Sequence, residues 1–322
     1  MVAGTESGSD PRLAVTRTGR RRWSRQARSE ALLAMWFVLP AMLTIALIAF
    51  LPLGRAFWLS LWEINLRFAN TPRVFVGLGN YWDILRDERF HNALKVSGMI
   101  AVWSIVAELV LGMIFALAIN RSFTGRGPVR ASVLIPWALT TVVSAKMWQL
   151  MYQTDFGIIN RFLGDINVIS KPIPWLASPD HALWALILAE IWKTTPFAAL
   201  LLLAGLQLIP SDLYEASALD GASEWSTFWH VTLPLLRPTL LVVLLFRFID
   251  VARMFDLPFV LTGGGPGFQT ETLTMYTYRV LFTNLQFGMG SALAVSVFII
   301  VLLFSYLFIR VLGAPVGGGG SR

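Results

Sequence analysis

The sequence predicts an all-α membrane protein. It should have six transmembrane helices, both termini cytoplasmic, and a structured helical element in the loop between helices four and five. Three observations predict this. The 322 residues are 56% hydrophobic and 14% charged, whereas soluble domains carry about 25% charged residues, and mean hydropathy is +0.63. Six apolar stretches reach about 20 residues, the length a helix needs to cross a bilayer core. Basic residues fall unevenly on alternate loops, and short positive loops stay on the cytoplasmic side.

Residues 1–30 form a basic arm, with seven Arg against three acidic residues. The arm reads as disordered or lying on the membrane surface. Anionic lipid would hold Arg20, Arg21, Arg22 and Arg25 at about 1 kcal/mol per charge, so much of the net charge of +7 is read as a lipid contact rather than a nucleic-acid one. The first apolar segment covers 31–61. It is about twice the length of a signal-peptide apolar run and lacks a small-residue cleavage site, so it should be retained. Pro40 and Pro52 are expected to bend it. The next segments cover 93–119, 131–152, 182–209, 235–261 and 288–311. The organisation expected is therefore an arm (1–30), a first helix with its outer loop (31–92), a five-helix domain (93–312) containing the loop 210–234, and a flexible glycine-rich tail (313–322). With the N-terminus inside, 13 Lys and Arg lie in cytoplasmic loops and termini against seven in outer loops. Trp58, Trp62, Trp137 and Trp148 lie near segment ends and read as an interfacial aromatic belt rather than as sugar-stacking platforms.

Composition also excludes chemistries. The chain has no cysteine, hence no disulfide framework, thiolate metal site or cysteine nucleophile, and only three histidines. It contains neither a phosphate-binding G-x-x-x-x-G-K-[ST] loop nor an H-E-x-x-H pair.

Ionisable residues nevertheless enter the membrane segments. Glu190 and Lys193 lie in the fourth, and Arg247, Asp250, Arg253 and Asp256 in the fifth. Each would cost about 2.5–3.5 kcal/mol if placed alone at mid-bilayer, so they should pair. Their spacing of three residues makes Glu190 and Lys193 neighbours on one face and the other four a slowly winding ladder of alternating sign. Two readings stand for these charges: a polar lining for a substrate path, or an ion-pair ladder that locks helix packing. Pro196 frees the Trp192 carbonyl and is expected to kink the fourth helix. Glu108 stands alone in the second.

The loop after Pro210 is the most informative stretch. Asp212 and Glu215 have the spacing of a capping box, which predicts a short helix starting there. Gly221 provides its left-handed stop, a second short helix should cover 223–231, and Pro234 should open the next membrane segment. Small residues at Ala216, Ala218, Gly221 and Ala222 permit close approach of another surface.

Glu215-Ala216-Ser217, followed by Asp220-Gly221-Ala222, Leu233-Pro234 and Pro238, closely resembles the EAA motif of ABC importer permeases, with Ser217 replacing the second small alanine. The stretches from Gly77 to Tyr81, from Trp192 to Phe197 and from Phe255 to Pro266 are similar to the carbohydrate-uptake branch, which includes maltose, trehalose and glycerol-phosphate permeases. The resemblance covers about residues 31–312. It implies a multi-pass permease of a bacterial or archaeal cell (inner) membrane that is not itself an enzyme. The permease would pair with a second homologous permease and with two copies of an ATPase, which would hold ATP and Mg on chains other than this one. Glu215, Ala216, Ser217, Asp220, Gly221 and Ala222 would seat in an ATPase cleft as a coupling helix. An extracytoplasmic binding protein would deliver sugar, a di- or oligosaccharide, to the outer loops (62–92, 153–181 and 262–287). Gln149, Tyr152, Trp192, Thr195, Asp250 and Arg253 are the candidates for the sugar path, because sugar recognition needs amides, hydroxyls, charges and an aromatic face. Glycerol phosphate or glycerophosphodiesters are the alternative cargo. The alternative class is an ion-coupled secondary transporter, for which the structured loop would be unnecessary.

Overall fold

The computed structural model describes residues 25–67, 72–121 and 124–312. The arm through residue 24 and the tail from residue 313 lie outside the described residues. The chain divides into two units, Met1–Gly54 and Arg55–Arg322. In the first, α1 (Arg25–Ile45) runs through Pro40 and passes by a π turn (Ala46–Phe50) into α2 (Leu51–Ser60). Thr44 donates its hydroxyl to the Pro40 carbonyl at 2.9 Å. The described side chains from Leu32 to Phe50 are all exposed, as expected of apolar residues that face lipid or another chain.

The second unit is a helical bundle. A two-stranded antiparallel ribbon, β1 (Trp62–Glu63) and β2 (Val74–Phe75), pairs Trp62 with Phe75. It is followed by α3 (Gly79–Arg86) and then by α4 (Glu88–Asn120), whose start Asp87 caps by accepting from the Arg89 N–H. Next come α5 (Arg126–Ala138), α6 (Thr141–Met151), α7 (Ile158–Asp165) and α8 (Pro179–Leu206). The short α9 (Ser211–Leu219) and α10 (Glu224–Thr227) lead through a π turn (Phe228–Thr232) into α11 (Leu233–Ala252). The chain closes with α12 (Asp256–Leu261), α13 (Leu273–Tyr278) and α14 (Phe287–Leu312).

Among the described residues four helical spans, Leu32–Ser60, Glu88–Asn120, Pro179–Leu206 and Phe287–Arg310, are long and apolar enough to cross a membrane, and α5 with α6 makes a fifth if counted as one bent span. The third apolar segment is therefore not the single rod its hydropathy predicts. It turns by 90° between α5 and α6, where Leu139 and Thr140 adopt extended backbone. Pro136 lacks a donor in the last turn of α5, and the β-branched pair Thr140 and Thr141 favours helix less than straight-chain residues do. The fifth segment breaks as well, into α11 and α12. Pro258 cannot donate to the Met254 carbonyl; the Thr272 hydroxyl takes that place at 2.9 Å, so the freed acceptor is satisfied. By contrast, α8 stays one 28-residue helix through Pro196.

The core lies where α4, α6, α8, α11 and α12 meet, around Ile100, Leu186, Leu257 and Leu261. Small residues bring α4 and α8 together. A Cβ on Gly112 would stand 3.1 Å from the Cβ of Ala198 and 3.1 Å from the backbone nitrogen of Ala199, the close approach that small residues allow between membrane helices. Gly288 at the start of α14 has its backbone against the ribbon, its N–H donating to the Ile64 carbonyl at 3.3 Å. A Cβ there would collide with the Trp62 carbonyl oxygen. Gly288→Ala is therefore expected to destabilise the chain by about 1–3 kcal/mol, as overpacking does, read as a lowered thermal midpoint in detergent.

Candidate functional site: a buried charge cluster, a cleft and a surface helix

The charged residues of the membrane segments pair across helices, not along them. Arg247 on α11 is 2% exposed. Its Nε donates to Glu108 on α4 at 2.5 Å, and its Nη2 donates to the other Glu108 oxygen at 3.1 Å and to Glu190 on α8 at 2.7 Å. Thr194 adds its hydroxyl to Glu108 at 2.6 Å. Glu108 and Glu190 are 0% and 5% exposed, so one guanidinium holds three helices together through two desolvated carboxylates. The expected Glu190–Lys193 pair does not form: Glu190 turns to Arg247, and half-buried Lys193 has no ion pair among the described residues. The expected ladder is also cut. Asp250 stands 3.5 Å from Arg247 and 2.7 Å from Arg253, but Arg253 is the C-cap of α11 and Asp256 begins α12. Asp256, exposed, lies beyond the break and makes no ion pair with the other three among the described residues.

The path candidates separate. Gln149 and Tyr152 both line a cleft of about 460 Å³ with Gln153, Thr154, Thr262 and Gly263, within the range of small-molecule sites. The Gln149 amide spans α6 and α12, donating to the Leu261 carbonyl at 3.4 Å and accepting from Lys146 at 2.9 Å. Tyr152 donates to the Ala185 carbonyl at 3.0 Å and stacks on Trp148 at 5.2 Å, and Trp148 meets Trp192 edge-on at 5.8 Å. Thr195 is 3% exposed and donates to the Ile191 carbonyl of its own helix at 2.6 Å. Asp250 and Arg253 bind each other and do not line the cleft.

Next to the cleft is a cluster that sequence reading missed. Glu271 is 0% exposed and accepts from Arg89 through two bonds of 2.7 and 2.8 Å, with Arg279 at 3.1 Å. The Arg89 guanidinium lies 3.9 Å from the Phe268 ring centroid. Arg279 also donates to the Gly263 carbonyl, and Tyr276 to Asp87. Burial, reinforced by the Asp87 carboxylate, holds the Tyr276 phenol above its usual ionisation range, so it stays a donor. Nothing local announces Glu271, because its partner Arg89 is 182 residues away. Glu271→Ala is expected to lower stability by about 3–5 kcal/mol, since Arg89 and Arg279 would lose a buried partner. Limited proteolysis between residues 263 and 272 should read this as faster cleavage.

The surface helix α9 differs at one end from the capping box expected. Pro210 is its N-cap and no side chain caps it; Asp212 lies in the first turn, where a carboxylate favours the helix N-terminus by charge alone. Its other end is as expected. Gly221 has φ +75°; its N–H donates to the Ala218 carbonyl at 3.1 Å, and the Ala222 N–H donates to the Ser217 carbonyl at 3.0 Å. This is a Schellman stop. Ser217 does more than fill a small position, because its hydroxyl meets Thr227 Oγ1 on α10 at 3.2 Å. Ser223 caps α10 through the Ser226 N–H at 3.2 Å. Glu215, Ala216, Asp220 and Gly221 are exposed, as is Leu219 at 90%.

Residues 108–315 match the family described as "Binding-protein-dependent transport system inner membrane component". The chain is 42% identical over 283 residues to the trehalose/maltose transport system permease protein MalF of Thermococcus litoralis, covering 88% of this chain and 94% of that one. It is 39% identical over 292 residues to the trehalose transport system permease protein SugA of Mycobacterium tuberculosis, covering 90% and 92%. In fold it is similar to a chain of the bacterial alginate ABC transporter in complex with an alginate pentasaccharide-bound periplasmic protein, with a TM-score of 0.75 at 22% identity over 90% of this chain and 96% of that one. The chain thus belongs to the family of binding-protein-dependent transport system inner membrane components, as an ABC permease that passes the inner membrane several times.

Proposed function

We propose that this chain is the permease subunit of an ATP-driven importer that moves a di- or oligosaccharide from an extracytoplasmic binding protein into the cytoplasm by alternating access. The observation that carries this reading is α9. It is a short exposed helix between two membrane segments, stopped at Gly221 and braced to α10 through Ser217. It presents Glu215, Ala216 and Leu219 outward, as a coupling element must. ATP and Mg would act on two copies of a partner ATPase beneath it, and a second homologous permease would complete the path. In this reading α1 with α2, α4, α5 with α6, α8, α11 with α12, and α14 are the six membrane passages, and both termini are cytoplasmic. The names of the trehalose and maltose relatives support a glucose-containing disaccharide as cargo, and the cleft around Gln149 and Tyr152 is its outer mouth.

Proteoliposomes carrying this chain with its copurifying partners test the cargo directly. Uptake of labelled trehalose or maltose should require ATP and the binding protein, and unlabelled glycerol 3-phosphate should not compete. Efficient competition by glycerol 3-phosphate would overturn the sugar assignment.

A further inference from the structure

A second cleft lies between the first turns of α4 and α8, on the same end of the bundle as the Gly263–Phe268 turn. Its volume is about 200 Å³, and Asn92, Lys95, Asp180, Trp184 and Gln269 are among its lining residues. That is below the range of ordinary small-molecule sites and suits a headgroup more than a sugar. Lys95 and Asp180 are both exposed. Neither makes an ion pair or a side-chain hydrogen bond among the described residues, and although they share one cleft they do not pair with each other. The cleft therefore offers one cation and one anion, separated, with the amides of Asn92 and Gln269 beside them.

The cleft is continuous with an apolar strip. Val102, Val106 and Val110 on α4 and Trp184 and Leu188 on α8 are exposed. The Trp103 and Trp184 rings meet edge-on at 5.5 Å at the top of the strip. From Lys95 to Val106 is about 16 Å of helix rise, close to half of the roughly 30 Å hydrocarbon core. Charges of both signs above one leaflet's depth of bare apolar surface, with a tryptophan pair between, match a zwitterionic lipid standing upright.

We propose that this cleft is a binding site for a phosphatidylethanolamine-type lipid. Lys95 and the Gln269 amide hold the phosphate, Asp180 accepts from the ammonium group, and the acyl chains lie along α4 and α8. The orientation proposed above makes this the outer leaflet. Phosphatidylglycerol carries the same phosphate and would satisfy Lys95, but its headgroup ends in a neutral glycerol, so Asp180 would be left without a cationic partner.

Native mass spectrometry of the assembled complex, purified in mild detergent and incubated with phosphatidylethanolamine or phosphatidylglycerol of matched chains, tests this. The wild type should retain phosphatidylethanolamine about fivefold better, the ratio expected from one exposed charge pair. Lys95→Gln with Asp180→Asn should abolish the preference while leaving the lipid-free thermal midpoint unchanged, and soluble glycerophosphoethanolamine should not displace the lipid. Equal retention of both lipids, or a preference that survives the double substitution, would overturn the site. So would a crosslink from a Val102→Cys variant to the second permease in place of lipid.

Discussion

Replacing Arg247 with methionine is expected to destabilise the bundle by about 3–5 kcal/mol, the usual consequence of breaking a buried ion pair from one side. Glu108 and Glu190 would keep their burial and lose the guanidinium that reaches both, at 2.5 and 2.7 Å. Thermal unfolding in detergent reads the loss directly. The triple variant R247M, E108Q, E190Q should recover most of it, because replacing the whole buried set removes the stranded charge. Lys193→Met should change stability little, since Lys193 holds none of the cluster. A pairing of neighbours along α8 would predict the reverse, with Lys193→Met as harmful as Arg247→Met. Asp250→Ala should also be mild, because Arg247 keeps two closer carboxylates.

The second large effect is expected at α9. Glu215→Lys should leave the fold intact, because the side chain is exposed and such surface changes usually stay within about 0.5 kcal/mol. It should nevertheless reduce sugar uptake severely while the partner ATPase continues to hydrolyse ATP, since the change reverses the charge on the docking face. Uptake and phosphate release measured on the same proteoliposomes separate the two. Normal coupling in Glu215→Lys would remove α9 from the mechanism. Gly221 needs a gentler probe. Its φ of +75° is closed to proline, which holds φ near −65°, so Gly221→Pro would unravel the helix stop and report folding. Gly221→Asn tolerates the left-handed backbone and should retain uptake.

What was legible in the sequence depended on how local its cause was. The end of α9 was legible because Gly221 acts within five residues of chain. The apolar spans were legible because hydrocarbon thickness imposes their length. The partners of Arg247 were not, because spacing along one helix reports only same-helix neighbours; Glu108 lies 139 residues away and has no charged residue three or four positions from it on α4. The bend after α5 and the break after α11 were hidden for a related reason. Hydropathy sums over a segment and does not see that Thr272, from a later loop, satisfies the carbonyl that Pro258 frees. Glu271 had no local signature at all. Side-chain type alone marks the path candidates in the sequence, and geometry groups only Gln149 and Tyr152 in one cleft.

The proposed function requires this chain to work through an ATPase carried on another chain. The most direct measurement is to purify the tagged full-length chain from its native membrane in mild detergent and identify its partners by mass spectrometry. A second permease of similar size and an ATPase bearing a G-x-x-x-x-G-K-[ST] loop should copurify. Recovery of the chain alone, from a preparation in which other membrane complexes survive, together with uptake driven by an ion gradient, would contradict it.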